Sequence, residues 1–204
     1  MSNQDFILKD EAKKVMEMTL GDVRAVTLQT HFRYIREKEG EEGLRKVLDK
    51  FKELGYPMDP AKLKPLDWVK TALADLAVIV AKYTFGWEDK DVFDMGNQAP
   101  KYSLIVKLFL KTFLSLKRVF QECPKYWAKH FTEGTLKATE FNDKEKYLIL
   151  HLKHSCHPII CIFYAGYFLR IGQYVMTQGT KITIEETKCM SKGSPYHEFL
   201  IRWE

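Results

Sequence analysis

The hydrophobic rhythm of this chain changes period near Gly134. Before that point apolar residues recur at helical spacing, as in Leu44, Val47, Leu48 and Phe51. After it, Leu148, Leu150 and Leu152 alternate with Tyr147, Ile149 and His151, which is the period of a strand with one buried face. A chain that changes period once, midway, must place helices against a sheet. The fold class expected is therefore α+β.

The helical half reads as a short charged helix or arm over 5–18, a helix over 23–39, a break at Gly40-Glu41-Glu42-Gly43, and a second helix from Leu44 to about Phe51. Pro57, Pro60 and Pro65 make 55–65 a connector. Residues 68–85 are apolar nearly all round, the mark of a buried helix, and Gly86 stops it. A short helix is expected over 89–96. A long one follows over 102–121, with Leu104, Leu108, Phe109, Phe113, Leu116 and Phe120 on one stripe, and Pro124 opens another carrying Trp127 and His130.

Two runs, 134–141 and 146–152, then form a hairpin across Asn142-Asp143-Lys144. Pro158 starts an apolar helix reaching about Val175. The runs 181–188 and 198–203 form a closing hairpin across Gly193-Ser194-Pro195. Four short strands must share one antiparallel sheet, packed with helices, to bury their apolar faces. The expected division is a helical region over 1–100 and an α+β region over 101–204, forming one compact unit. At 204 residues, that is one large or two small domains.

Composition narrows the function classes. The net charge of +5 comes from 32 basic and 27 acidic residues that are interspersed, which speaks for a solvated surface and against a nucleic-acid interface. The longest uncharged run, 156–169, is too short for a membrane span. The N-terminus lacks the pattern of a signal peptide, so a cytoplasmic protein with reduced thiols is expected. No phosphate-binding loop, dinucleotide fingerprint, nucleophile elbow or paired zinc-protease histidines occur, which points away from an enzyme. Aromatic residues make up 13% of the chain, a supply that suits a core with a cavity for an apolar ligand. The expected pocket lies between the sheet and the helices at 102–121 and 158–175. Its lining is Phe109, Phe113, Trp127, His130, Phe163 and Tyr167.

The closing hairpin carries the other candidate site. Cys189 and His197 stand at its two feet and Glu186 precedes Cys189 by three residues. Cys156 and His157 open the preceding helix. Thiolate, imidazole and carboxylate are all competent zinc ligands, and a structural site needs four. The set Cys156 or His157, Glu186, Cys189 and His197 is thus a candidate zinc centre. The same residues also read as a metal-free buried thiol and a hydrogen-bonded core histidine. His151, His154 and His157, spaced by three, are a further candidate for metal or haem, or simply loop groups with hydrogen-bond partners.

The run Cys189-x-x-x-Gly193-x-x-x-His197, ending in Phe199-Leu-Ile-Arg-Trp203, resembles the 4-vinyl reductase domain family. The order helix, hairpin, helix, hairpin and Ala165-Gly166-Tyr167 add to the likeness. That family sits with the haem-NO-binding domains and a trafficking-complex subunit family in one ligand-binding superfamily. The N-terminal half, through Gly40-Glu41-Glu42-Gly43, is similar to helical regions of bacterial haem-NO-binding relatives. The resemblance implies a small-molecule-binding sensor or carrier and, together with the supply of apolar helix surface, a homodimer; no DNA-binding or output domain is evident, so any signal is expected to pass through a separate partner chain. It also implies zinc held by cysteines and a glutamate in some members, with His197 in place of the second cysteine here. The haem branch carries Tyr-x-Ser-x-Arg, which is absent from this sequence, so haem is disfavoured. The alternatives are a tetrapyrrole-related enzyme or accessory protein and a structural dimerising adaptor.

Overall fold

The computed structural model describes residues 3–103, 106 and 115–204. Phe109 and Phe113, and most of the apolar stripe expected over 102–121, lie outside the described residues. The fold is α+β, with a four-stranded antiparallel sheet packed against helices.

The chain opens with α1 (Asn3–Met18). Two three-residue strands follow at unexpected places. β1 (Asp22–Arg24) pairs antiparallel with β2 (Trp68–Lys70), each running directly into a helix. Helical spacing alone extended those helices back to 23 and 68. The structure instead spends Asp22–Arg24 and Trp68–Lys70 on a backbone ladder. The ladder ends on bonds from the Ala25 amide to the Asp67 carbonyl and from the Thr71 amide to the Gly21 carbonyl. α2 (Ala25–Glu53) breaks at Gly40, where φ is 76° and ψ 178°, a backbone that only glycine adopts readily. α3 (Thr71–Phe85) is buried along most of its length and ends on a left-handed Gly86.

α4 (Asp89–Tyr102) runs one and a half turns past the expected stop at Gly96. It starts on a capping box between Glu88 and Asp91. Gly96 does not break it because this glycine serves a helix crossing. A Cβ there would stand 1.9 Å from the Phe163 carbonyl oxygen, and one on Gly166 would stand 2.0 Å from that of Phe93. Two glycines facing each other's helix thus let α4 and α7 (Pro158–Val175) pack backbone to backbone. Arg170 Nε seals the crossing by donating to the Asn97 carbonyl at 3.0 Å, and its guanidinium also binds Asn97 Oδ1. α7 is long and apolar enough, by length and composition, to cross a membrane. Here it fills the space between α4 and the sheet, and Ile160, Cys161, Phe163, Tyr164 and Phe168 are buried.

Between α4 and the sheet come α5 (Leu116–Gln121) and α6 (Cys123–His130). The sheet has the order β3-β4-β6-β5, formed by β3 (Thr135–Asn142), β4 (Tyr147–Lys153), β5 (Ile182–Lys188) and β6 (His197–Trp203). The inner face of β4 is Leu148, Leu150 and Leu152, paired in register with Ile201, Phe199 and His197 of β6. Strict alternation therefore turns His197 inward with Phe199, Ile201 and Trp203, and all four are buried.

Candidate functional site

Two constellations stand out, an internal cavity and a thiol–imidazole cluster at the foot of the closing hairpin. The cavity, about 130 Å³, lies where α2 and α3 face α6 and α7. Apolar spacing on each helix supplies its walls. α3 contributes Thr71, Ala74, Asp75 and Val78, one face at steps of three and four. α7 contributes Phe163, Tyr164, Tyr167, Phe168 and Ile171 in the same way, and α6 adds Trp127 and His130. Trp127, His130, Phe163 and Tyr167 were expected at such a pocket, and all four line it. The polar side from α2 and α3, namely Thr27, Thr30, His31, Thr71 and Asp75, was not foreseen. The spacing of Thr71 and Asp75 on an otherwise apolar helix was the available signal.

The polar groups of the cavity are short of partners. His31 is 3% exposed, and its Nδ1 stands 3.1 Å from the Ala74 carbonyl. A carbonyl only accepts, so Nδ1 carries the proton and Nε2 keeps a lone pair. That Nε2 is buried with no hydrogen-bond partner. His130 repeats the pattern, with Nδ1 at 3.0 Å from the Tyr126 carbonyl and Nε2 buried and unpartnered. Burial pushes the His31 imidazole down to about 4, against the opposing Ala74 bond, and also lowers that of His130, so both rings are neutral at pH 7. Thr71 Oγ1 is a third buried atom without a partner. Asp75, 4% exposed, accepts one hydrogen bond, from Thr19 Oγ1 at 3.0 Å. Burial pushes its carboxyl up to about 7, with Thr19 pulling the other way.

At the hairpin foot, Cys161, Glu186, Cys189 and His197 bring four ligand atoms within 4.8 Å of one another. Cys161 Sγ is 3.8 Å from Cys189 Sγ and 3.5 Å from His197 Nδ1. His197 Nδ1 is 2.9 Å from Glu186 Oε1. His197 Nε2 points the other way, 3.3 Å from the His154 carbonyl. Burial opposes a charge on His197, but Cys161 and Glu186 outweigh it and lift the imidazole to about 10. The Cys161 thiol is held well above its ordinary range by the neighbouring Cys156 and by burial.

Glu186, Cys189 and His197 therefore converge as expected of them, but the helix supplies Cys161 where Cys156 was expected. Cys156 ends the loop before α7 and meets the opposite edge of the imidazole, with Sγ 3.9 Å from His197 Nε2. Cys161, nearly a turn into α7, is the thiol on the side of β5 and β6. The spacing of His197, Cys189 and Glu186 gave no reason to prefer it. The three histidines at 151, 154 and 157 do not gather. His151 pairs with Glu198 at 2.9 Å, His157 pairs with Glu11 at 2.6 Å, and His154 packs edge-on against Trp127 and Phe131.

The comparisons with known proteins bear on the architecture that holds both sites. No protein-family model matches the sequence, and no curated protein matches it. Solved structures do. An H-NOX protein from S. oneidensis in the Fe(II) state superposes with a TM-score of 0.68 at 10% identity, covering 89% of this chain and 96% of that one. A second structure of an S. oneidensis H-NOX protein, in the Fe(II)NO ligation state, gives 0.63 at 11% identity, over 86% and 98%. An oxygen-binding H-NOX domain related to soluble guanylate cyclases gives 0.59 at 13%, over 86% and 90%. The fold is the H-NOX fold. At this identity the likeness shows architecture alone, and it gives nothing to the 4-vinyl reductase assignment. It also overturns the expectation that haem is disfavoured, because the H-NOX domains are haem-binding proteins and further matches concern haem distortion in that family. The missing Tyr-x-Ser-x-Arg run was too local a criterion.

Proposed function

We propose that this chain is a ligand-binding sensory module whose cavity between α2, α3, α6 and α7 holds the ligand. The observation that carries this reading is the pairing of an apolar cavity with buried polar atoms that lack partners. An orphaned lone pair in an apolar wall costs ~1–3 kcal/mol, and a ligand that satisfies it recovers that penalty on binding. An apolar, single-ring molecule suits the empty volume. An apolar cavity of ~150 Å³ engineered into another protein takes up benzene.

Haem is the group that the H-NOX fold implies; the donor chemistry suits its iron, and a four-ring macrocycle would need the helices around the cavity to open beyond the ~130 Å³ present. His31 and His130 are the residues that would hold it. Each is a neutral imidazole whose Nδ1 donates to a backbone carbonyl and whose Nε2 lone pair is unused, the state in which histidine ligates a metal. When bound, haem would supply iron for binding a diatomic gas. The chain's own residues would orient the imidazole through Ala74 or Tyr126, and exclude water with Trp127, Phe163 and Tyr167. Addition of haemin to the purified protein tests this. A stoichiometric visible absorption band that shifts on reduction supports the haem form. Absence of both haem uptake and uptake of any small aromatic molecule ends the ligand-binding reading.

The hairpin cluster supports a second element of this reading, a structural zinc. A tetrahedral zinc with bonds of ~2.3 Å to sulfur and ~2.0 Å to nitrogen has edges of about 3.8 Å between sulfurs and about 3.5 Å from sulfur to nitrogen. The observed separations, 3.8 Å and 3.5 Å, agree with both. The His154 carbonyl would fix His197 with its proton on Nε2 and its lone pair on the ligating Nδ1. Such an ion ties α7 to the closing hairpin, and its binding energy would add to folding. A homodimer acting on a separate output protein completes the proposal.

A further inference from the structure

Among the described residues, several acceptor atoms of the cavity lack a donor, although hydroxyls such as those of Thr30, Tyr164 and Tyr167 also line it. His31 Nε2 and His130 Nε2 are acceptors only, because each ring's proton is committed to a backbone carbonyl. Asp75 receives a single donor, Thr19, although a carboxylate has room for about four. Thr71 Oγ1 has no partner, and α3 sets it one turn from Asp75 on the same face. His31 joins this end of the cavity, because it is anchored on Ala74, the residue beside Asp75. Among the described residues, no Lys or Arg lines the cavity to balance the carboxyl. An apolar chamber with one carboxyl and several unused lone pairs suits an occupant that brings donors, and a cationic donor would pair with the carboxyl once its proton is lost.

We propose that the cavity is a site for a small organic amine, whose ammonium group docks on Asp75 with His31 and Thr71 taking its remaining hydrogens, while its apolar body lies among the aromatic side chains. The proposal rests on the reading of the cavity as the ligand site and deepens it. A primary ammonium carries three N–H donors, one for each of the three groups Asp75, Thr71 and His31. The volume limits the body to about one ring or a short aliphatic chain. The raised Asp75 carboxyl agrees with a negative charge that has no partner until a cation arrives.

The test is isothermal titration of the full chain with benzylamine, benzyl alcohol and toluene, three bodies of nearly one shape. Benzylamine is expected to bind at least tenfold more tightly than either neutral analogue. Asp75→Asn should remove that preference while leaving toluene binding within about threefold of the parent. Thr71→Val, a milder change, should weaken benzylamine by about threefold and not weaken toluene, and it serves if the Asp75 variant does not fold. Equal or tighter binding of the neutral analogues overturns the amine proposal and leaves the cavity reading standing. So does a preference that survives Asp75→Asn. Failure of all three to bind, with no haemin uptake, overturns the cavity reading and the proposal together.

Discussion

Gly96 on α4 and the Phe163 carbonyl on α7 are so close that a single methyl on Gly96 would stand 1.9 Å from the oxygen. No flexible side chain can yield there, because the obstacle is backbone. Gly96→Ala must push the two helices apart or abandon the helical path of one of them. A loss of at least ~2 kcal/mol is expected, at the upper end of the overpacking range. Gly166→Ala should do the same, by the reciprocal clash with the Phe93 carbonyl. Urea unfolding of both variants checks this. A midpoint unchanged from the parent would mean that the crossing is looser than described.

Stability should vary with pH in two opposing ways. The folded carboxyl of Asp75 is raised to about 7 from 3.8, so the folded state holds its proton where the unfolded chain has released it. That contribution is fully present below about pH 4, and is lost as pH rises toward 7. His31 and His154 are lowered from 6.5 to about 4, both by burial. Their contribution is present above pH 6.5 and is lost as pH falls toward 4. Asp75→Asn should therefore stabilise the empty protein at pH 8, by about 1–3 kcal/mol, and change little at pH 4. Denaturant midpoints measured across that interval give the answer.

Much of the fold could be read from the amino-acid sequence, for definable reasons. The alternation of Leu148, Leu150 and Leu152 places the sheet, because a half-buried strand leaves its period in the residues. Pro158 marks the start of α7, because proline suits the first turn of a helix. β1 and β2 left no such mark. Three residues are too few to show a period, and their pairing joins positions almost fifty residues apart. Gly96 misled for a related reason. A glycine that ends a helix and a glycine that admits a second helix look alike until the partner is known. The same limit applied at the sites. Cys189 and His197 share a hairpin and could be paired by local reasoning. The choice between Cys156 and Cys161 depends on the angle at which α7 meets β6. Asp75 and His31 stand on different helices, and only the assembled core brings them to one cavity.

Metal analysis should separate the thiols. Cys161→Ser and Cys189→Ser are each expected to abolish stoichiometric zinc, whereas Cys156→Ser should retain it, because Cys156 faces the Nε2 edge of His197 and not the ligand group. A thermal melt of the parent should fall after chelation and recover on adding zinc. Metal content unaffected by Cys161→Ser would remove that thiol from the centre.

The two orphaned imidazoles make distinct predictions for the haem form. If His130 holds the iron, His130→Gly should bleach the absorption band of the reconstituted protein, and added imidazole should restore it. His31→Gly should then leave the band in place. The reverse pattern assigns the role to His31. A band insensitive to both variants would remove both residues from the iron.

Val23 has a second neighbour besides β2. It bridges to Phe131, and around it the Thr132 amide donates to the Asp22 carbonyl at 2.9 Å and Arg24 Nε to the Lys129 carbonyl at 3.2 Å. The short strand is thus riveted on one side to the segment that starts α3 and on the other to the end of α6, immediately beside His130. α2 leaves from the same strand one residue later, and carries His31 into the cavity two turns on. Both imidazoles therefore hang from one hinge pin. A ligand that spreads α6 from α2 cannot do so freely. It must either strip those backbone bonds or swing the N-terminal helices as a lever whose far end is α1.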